Sequence, residues 1–321
     1  MEKFTIDFLK NIKDDDLIYW TYQTYQDPGK FPKNKKLLDF IDEYSESLNF
    51  IEYGEQHTDI KNAFLTNQKN ILILTFCDEF IKKNMSDEYE YKSADLGTYS
   101  RNHFSEFNIP SKINRIYSKN SFITDNPKII CLPNGICNKL TMEGVLRKRH
   151  RIYDSDKRHS ENLLYCNVGI EHTKHNRPHN IKILKSMDIK ENWQSWPNFN
   201  EVYGINYFEG MYKHKFVFSP EGNAPDSHRT WEALYAGSIP IVIKNCNMQH
   251  FKDLPILMID DWSDLSKDFL KKKYIEIMSK EWNLEKLKLS YWLKIIEEDI
   301  KWDVPLSVLR RAYVNDRKKE I

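Results

Sequence analysis

The sequence predicts an α/β protein with parallel strands, and three observations lead to this fold class. Apolar runs at 70–76, 128–132 and 162–166 each enter polar or turn residues, which is typical of buried parallel strands. The stretch 216–243 reads as strand, loop, helix and strand, and parallel strands joined by a crossover helix form a β-α-β unit. With 321 residues, 40% of them hydrophobic, the chain has enough material for two cores.

The boundary between the two expected domains falls in a charged stretch between the second and third runs. The basic segment 147–151 is followed by Asp154 and Asp156, whose charges offset it, and no nucleic-acid module surrounds it. A solvated linker is therefore favoured over an RNA contact. This boundary places the first domain at 1–155 and the second at 156–321.

Composition limits the partners and the compartment. Lys+Arg 48 against Asp+Glu 47 leaves a net charge of +1, so no overall field steers the protein toward nucleic acid, and any anion recognition is local. No segment approaches the roughly 18 apolar residues of a membrane span. The cysteines, 5 in number, lack C-x-x-C spacing, which fits reduced thiols better than a disulfide framework or zinc site. We expect a soluble, cytoplasmic protein with no nucleic-acid partner.

The segment 172–179, after the third run, contains three histidines and could be taken for a metal site. However, Lys174 and Arg177 lie among the histidines and would repel a divalent cation, whereas they would attract a diphosphate. Phosphate binding by Thr173, Lys174 and Arg177 is therefore favoured. A metal site and a plain solvated loop are the alternatives.

The β-α-β stretch begins with a strand at 216–218, which leads through a polar loop into a helix. Asp226 or Ser227 is expected to cap that helix by accepting from its first free N–H groups. Gly237 ends the helix, and the next buried strand follows at 238–243.

His228 and Arg229 occupy the first turn of this helix, where free N–H groups and the helix dipole already favour negative charge. Cations are locally unfavourable at this end, so a bound anion that forms charge-assisted hydrogen bonds would explain them. Glu232, one turn later, would accept paired hydroxyls such as those of a ribose. The alternative is a surface ion pair of Arg229 with Glu232 or Asp226.

The run SPEGNAPDSHRTWEALYAGSIPIV, residues 219–242, resembles the donor-binding signature of exostosin-type glycosyltransferases and their bacterial and viral relatives. The resemblance implies a GT-B fold, in which two Rossmann-like domains face each other across a cleft. It implies sugar transfer from a nucleotide sugar, without a tightly bound metal or cofactor, to a glycan acceptor. UDP is the favoured nucleotide because exostosin relatives mostly use UDP sugars, while GDP and dTDP stay open. The donor contacts marked by the resemblance are Ser219, Glu221, Gly222, Asn223, Ser227, His228, Arg229 and Glu232.

An inverting transfer needs a general base that takes the proton from the acceptor hydroxyl. In parallel sheets, functional groups gather at the carboxyl ends of the strands. Asp78 and Glu79 follow the strand at 70–76 and are the preferred candidates, with Asp78 first; alternatively they cap a helix that begins near Phe80. The sequence leaves open three others, Asp95, Glu55 and His57.

Three further acids, Asp260, Asp261 and Asp264, resemble the carboxylates with which GT-A transferases hold a metal, although their spacing is imperfect. Capping of a helix N-terminus is the favoured interpretation. A metal-dependent GT-A-like transferase and a non-catalytic nucleotide- or glycan-binding protein are the alternative functions. By the same resemblance, the last helix is expected to pack back on the first domain.

Overall fold

The computed structural model describes residues 1–20, 34–52, 71–75, 113–119, 127–136, 149–160, 163–166, 182–184, 203–221, 225–245 and 247–301. Within these ranges the strands are β1 (Glu2–Lys3), β2 (Leu48–Glu52), β3 (Ile71–Thr75), β4 (Arg115–Lys119), β5 (Ile129–Leu132), β6 (Leu164–Tyr165), β7 (Phe216–Phe218), β8 (Ile239–Ile243), β9 (Leu257–Ile259) and β10 (Glu281–Trp282). The α-helices with defined bounds are α1 (Ile6–Lys10), α2 (Lys35–Glu43), α3 (Tyr203–Lys213), α4 (His228–Tyr235), α5 (Lys267–Ser279) and α6 (Leu289–Lys301).

The strands build two four-stranded parallel sheets, which confirms the predicted α/β class. The first sheet has the order β2-β3-β4-β5 and the second has the order β6-β7-β8-β9, so both follow the chain. Strands β4 and β7 are buried along their whole length. This burial is why β7 reads as a continuous apolar run, whereas β4 buries the polar residues Arg115, Ser118 and Lys119 as well.

Helix α4 connects β7 to β8, as the sequence predicts, and Gly237 follows its C-cap residue, Ala236. The Gly237 backbone has a φ of 75°, in the left-handed region that favours glycine. The Ser238 N–H donates to the Ala233 carbonyl at 2.9 Å and the Gly237 N–H donates to the Leu234 carbonyl at 2.9 Å. This pair of bonds is a Schellman motif, so α4 stops where its sequence chemistry requires.

Each end of the described chain contacts a part of the protein that is distant in sequence. Strand β1 pairs antiparallel with β10, and the Ile6 side chain packs where a Cβ on Gly237 would stand. At the other end, Asp299 of α6 accepts from Arg115 Nε at 2.7 Å and from the Tyr117 hydroxyl at 2.6 Å. The N-terminal segment therefore contacts the second sheet's helix α4, while the final described helix contacts the first sheet.

Within the described part of the basic segment, residues 149–151, Arg149 departs from the solvated linker that the sequence favours. Residues 149–153 are helical, and Arg149 is 0% exposed. Its guanidinium donates to the Leu9 carbonyl at 3.2 Å and to the Ile12 carbonyl, and it pairs with Asp14 at 2.7 Å. Arg149 thus satisfies carbonyl groups in the last turn of α1 and just beyond it, a role that a charged run in the sequence does not reveal.

Two cysteines of the described chain, Cys131 and Cys166, are buried and form no disulfide, as expected for small core residues. No helix among the residues that the structure describes has the length and apolar character to cross a membrane.

Candidate functional site

The candidate site lies where the loop after β7 enters α4, at the carboxyl ends of β7 and β8. In this loop the structure describes residues 219–221 and 225–227. The loop after β5, residues 133–136, contacts the start of α4 from the side of the first sheet. Carboxyl ends of strands from both parallel sheets therefore meet here, and such edges are where α/β proteins bind ligands.

Three hydroxyl groups connect the loop to the first turn of α4. The Ser219 hydroxyl lies 3.1 Å from the Ser227 hydroxyl and 3.0 Å from the Thr230 hydroxyl. Ser227 occupies the N-cap position with extended backbone angles, yet its side chain forms no capping hydrogen bond. The prediction that Asp226 or Ser227 caps the helix through its side chain was wrong, because both side chains have other partners. The helix therefore begins without the side-chain acceptor that commonly binds its N–H groups.

Asp226 joins the two sheets through a buried carboxylate that is 0% exposed. It accepts from the Trp231 indole N–H at 2.8 and 2.9 Å and from the Asn134 backbone N–H at 2.7 Å. The Asn134 side-chain amide donates in turn to the Asp226 carbonyl at 3.0 Å. Burial raises the pKa of Asp226 to about 7, although Asn134, Trp231 and the charge of Lys119 act to lower it.

His228 is oriented by the loop that follows β5. Its Nδ1 lies 2.8 Å from the Gly135 carbonyl oxygen, which only accepts, so Nδ1 carries the hydrogen and donates. A neutral imidazole in this tautomer has its acceptor lone pair on Nε2. Gly135 has a φ of 73°, and a Cβ there would stand 2.4 Å from the Ile18 carbonyl oxygen. Only glycine permits this close approach of the loop.

Arg229 and Glu232 are connected through Tyr207 of α3. The Arg229 guanidinium carbon lies 5.2 Å from the centroid of the Tyr207 ring, a cation–π distance. The Tyr207 hydroxyl donates to Glu232 Oε2 at 2.8 Å, and Glu232 is only 4% exposed. From the sequence, Glu232 was expected to accept hydroxyls of a ligand. In this structure it accepts the Tyr207 hydroxyl, and Tyr207 lies between Glu232 and Arg229.

Glu221 lies in the same loop, next to the end of β8. The Asn245 side-chain amide donates to Glu221 Oε1 at 3.1 Å, while the Asn245 oxygen accepts from the Met248 backbone N–H at 2.8 Å. Burial raises the pKa of Glu221 to about 7, and the bond from Asn245 opposes that shift. Glu221 is thus a carboxyl group that titrates near neutral pH beside the start of α4.

The structure brings together Ser219, Glu221, Ser227, His228, Arg229 and Glu232, all within one loop and helix. Other predicted site residues lie outside the described part of the chain: Asp78, Glu79, Thr173, Lys174, Arg177, Gly222 and Asn223, and with them Asp95, Glu55 and His57. Sequence reasoning missed Asn134, Tyr207 and Asn245. The available signal was that Asn134 and Asn245 each lie two residues past a predicted strand, and that signal does not name their partners.

The acidic segment after β9 caps a helix, as favoured from sequence. Asp261 accepts from the Ser263 backbone N–H at 2.8 Å, and Asp264 accepts from the Asp261 N–H at 3.1 Å. This capping box begins the 3₁₀-helix Trp262–Asp264. Among the residues that the structure describes, no group of three or more histidine, cysteine or acidic residues is placed to hold a metal ion.

Comparisons with known proteins give little beyond a distant resemblance in fold. No protein-family model matches the chain, and a search of curated proteins finds no match. Among solved structures, the chain is similar to one described as the crystal structure of an α1,3-fucosyltransferase, with a TM-score of 0.41 and 10% sequence identity. The alignment covers 93% of this chain and 85% of that one. This similarity is too distant to indicate function, which is argued below from the residues of the site.

Proposed function

We propose that this protein is a glycosyltransferase that moves a sugar from a nucleoside diphosphate, UDP being favoured, to a hydroxyl of a glycan acceptor. One observation carries the proposal. The run that resembles an exostosin-type donor signature forms the loop after β7, helix α4 and most of β8, and its polar residues gather at the carboxyl ends of parallel strands. Ligands of α/β proteins bind at such ends.

The start of α4 is the proposed site of the donor's diphosphate. Helix N-termini favour anions through their N–H groups and dipole, and Ser227 does not fill this end with a side-chain cap. Arg229 lies in the first turn, where its guanidinium rests near the Tyr207 ring. A guanidinium held against a ring is restricted before ligand binding, so less side-chain entropy is lost when it contacts a phosphate.

The proposed reaction is an inverting transfer in which a carboxylate takes the acceptor proton. Asp78 and Glu79 follow β3, and the parallel order of the first sheet gives β3 and β5 the same carboxyl edge. The loop after β5 leaves that edge and contacts α4. A base placed after β3 would therefore stand on the side of the sheet that faces the proposed donor site.

Replacement of the proposed base tests this mechanism. Asp78→Asn should leave the dissociation constant for UDP unchanged and should slow sugar transfer by a factor of about 100 or more, since general base catalysis commonly contributes that much. Glu79→Gln in parallel identifies which carboxylate acts. Turnover near that of the original protein in both variants would assign the base to another residue.

The proposed function as a whole is tested by binding followed by turnover. UDP, GDP and dTDP should be compared by thermal shift, because a ligand that binds the folded state raises its apparent stability. The corresponding sugar nucleotides are then assayed for transfer or slow donor hydrolysis, with and without EDTA. Activity that EDTA abolishes and Mn²⁺ restores would contradict metal independence, and binding without any turnover would indicate a nucleotide-binding protein.

A further inference from the structure

A buried lysine at the carboxyl end of the first sheet has a charge that the described residues do not pair. Lys119 is the last residue of β4 and is only 7% exposed. Within the described part of the chain its side chain forms no ion pair and no hydrogen bond. The packed stem of the side chain fixes where the ammonium lies, and its N–H donors are open to an anion.

The fold places Lys119 beside the candidate site. Lys119 is the register partner of Leu132 in β5, and the chain continues from Leu132 into the loop that contacts α4. Two residues past Leu132, the Asn134 N–H binds the Asp226 carboxylate, and Asp226 immediately precedes the N-cap of α4. Lys119 is also close enough to Asp226 for its charge to act on that carboxylate, against the larger effect of burial.

The Asp226 carboxylate accepts its hydrogen bonds from groups other than Lys119, so the N–H donors of Lys119 stay available to a ligand. The Asp226 carboxylate already accepts from the Trp231 indole and the Asn134 backbone. The ammonium of Lys119 carries three N–H donors, and a point charge of this kind is a common ligand of phosphate oxygens.

We infer that Lys119 is a phosphate-binding residue contributed by the first sheet, which contacts the diphosphate held at the start of α4. This inference rests on the proposed function, since it assigns a further contact within the same donor site. The diphosphate would then lie between Lys119 on β4 and Arg229 on α4. A ligand held from both sheets would link the two halves of the chain.

The test compares the binding of UDP, inorganic pyrophosphate and uridine by calorimetry in the original protein and in Lys119→Gln. The dissociation constants for UDP and pyrophosphate should rise at least about tenfold, and whatever affinity uridine has should stay unchanged, because uridine has no phosphate. Lys119→Arg keeps the charge and should retain most of the affinity. If Lys119→Gln does not fold, Lys119→Met, which keeps an apolar stem and removes the charge, gives the second readout and should weaken UDP and pyrophosphate binding to the same extent.

Lys128→Gln is the matched control. Lys128 is also a buried lysine of the first sheet, but it precedes β5 at the opposite edge and donates to the Ile113 carbonyl at 2.6 Å. Its replacement should lower stability and leave nucleotide affinity unchanged. Equal affinity of Lys119→Gln and the original protein for UDP, with Arg229→Ala weakened, would overturn the inference and leave the proposed function standing. Absence of binding of all three nucleotides and of pyrophosphate to the original protein would overturn both.

Discussion

The polar side chains at the start of α4 are fixed by partners that lie far away along the chain. His228 Nδ1 binds the carbonyl of Gly135, 93 residues earlier, and Asn134 binds Asp226 across 92 residues. The sequence predicts which residues face the helix start, because that depends on local periodicity and turn chemistry. It does not predict these contacts, since they depend on how two separate sheets meet.

Arg229→Ala tests the role of the guanidinium. Loss of a charge-assisted hydrogen bond should weaken UDP binding by about 1.5 to 3 kcal/mol, which is roughly a 10- to 150-fold rise in the dissociation constant. Calorimetry measures the effect, and circular dichroism verifies that the variant is folded. Arg151→Ala, which removes an exposed arginine from the helical residues 149–153, should bind like the original protein. An unchanged affinity in Arg229→Ala would remove this residue from the site.

The buried carboxyl of Asp226 predicts a dependence of stability on pH. Its folded-state pKa of about 7 lies above the ordinary value of 3.8, so the folded state favours the protonated form. The stability that it contributes is therefore fully present below about pH 4 and is lost as the pH rises through 7. The slope from this group alone is at most about 1.4 kcal/mol per pH unit.

Denaturant unfolding of the original protein and Asp226→Asn at several pH values between 4 and 7 isolates this effect. Glu221, whose pKa burial raises to about 7, acts in the same direction in both proteins and cancels in the comparison. The free energy of unfolding of the original protein should fall more steeply with rising pH than that of the variant. Parallel slopes would show that Asp226 is ionised in the folded state throughout this range.

At the scale of elements, the unit β7–α4–β8 was predicted closely because its limits are set by local chemistry. The strand is a short apolar run, and Gly237 ends the helix through its positive φ of 75°. The capping at the other end was mispredicted. Ser227 stands at the N-cap, but tertiary packing directs its hydroxyl to Ser219 at 3.1 Å, which a rule based on residue type does not foresee.

The loop after β5 is an element whose position on α4 depends on Gly135. Gly135→Ala would force a side chain onto a backbone with a φ of 73° and against the Ile18 carbonyl at 2.4 Å. We expect a loss of about 1 to 3 kcal/mol in the free energy of unfolding, together with weaker UDP binding, because the loop holds His228. Gly237→Ala is the control, since it also places a side chain on a backbone with positive φ, at the far end of α4, where the nearest atom is the end of the Ile6 side chain at 2.8 Å. Equal losses of UDP affinity in the two variants would show that the loop has no specific effect on the site.

At the scale of the whole molecule, the two sheets are connected at the site and also through the ends of the described chain. The N-terminal segment contacts α4 beside the second sheet, and α6 contacts the first sheet. Asp299 of α6 binds Arg115 and Tyr117 of β4, and the Tyr44 hydroxyl donates to Glu297 at 2.7 Å. Removal of one partner from a largely buried ion pair leaves the other unpaired and commonly costs about 3 to 5 kcal/mol. The Asp299 side chain is 17% exposed, so the effect is smaller here. Asp299→Ala should lower the free energy of unfolding by about 2 to 3 kcal/mol.

Denaturant unfolding measures this change, and Asp268→Ala is the matched control. Asp268 is an almost fully exposed acid of α5 whose side chain is 98% accessible beside Lys271, so its removal should change stability by less than about 0.5 kcal/mol. A cost for Asp299→Ala no greater than that of the control would show that α6 does not anchor to the first sheet. No local pattern in α6 specifies the sheet that it contacts, and the expectation that the last helix packs back on the first domain stays a prediction, because residues 302–321 lie outside the described part of the chain.

The central claim is that the start of α4 binds the diphosphate of a sugar nucleotide. A crystal structure of the protein with UDP tests it most directly. We expect density for the diphosphate at the first turn of α4, in contact with Arg229 and the backbone N–H groups after Ser227. UDP bound at another element, with the start of α4 unoccupied in the same crystal, would contradict the claim.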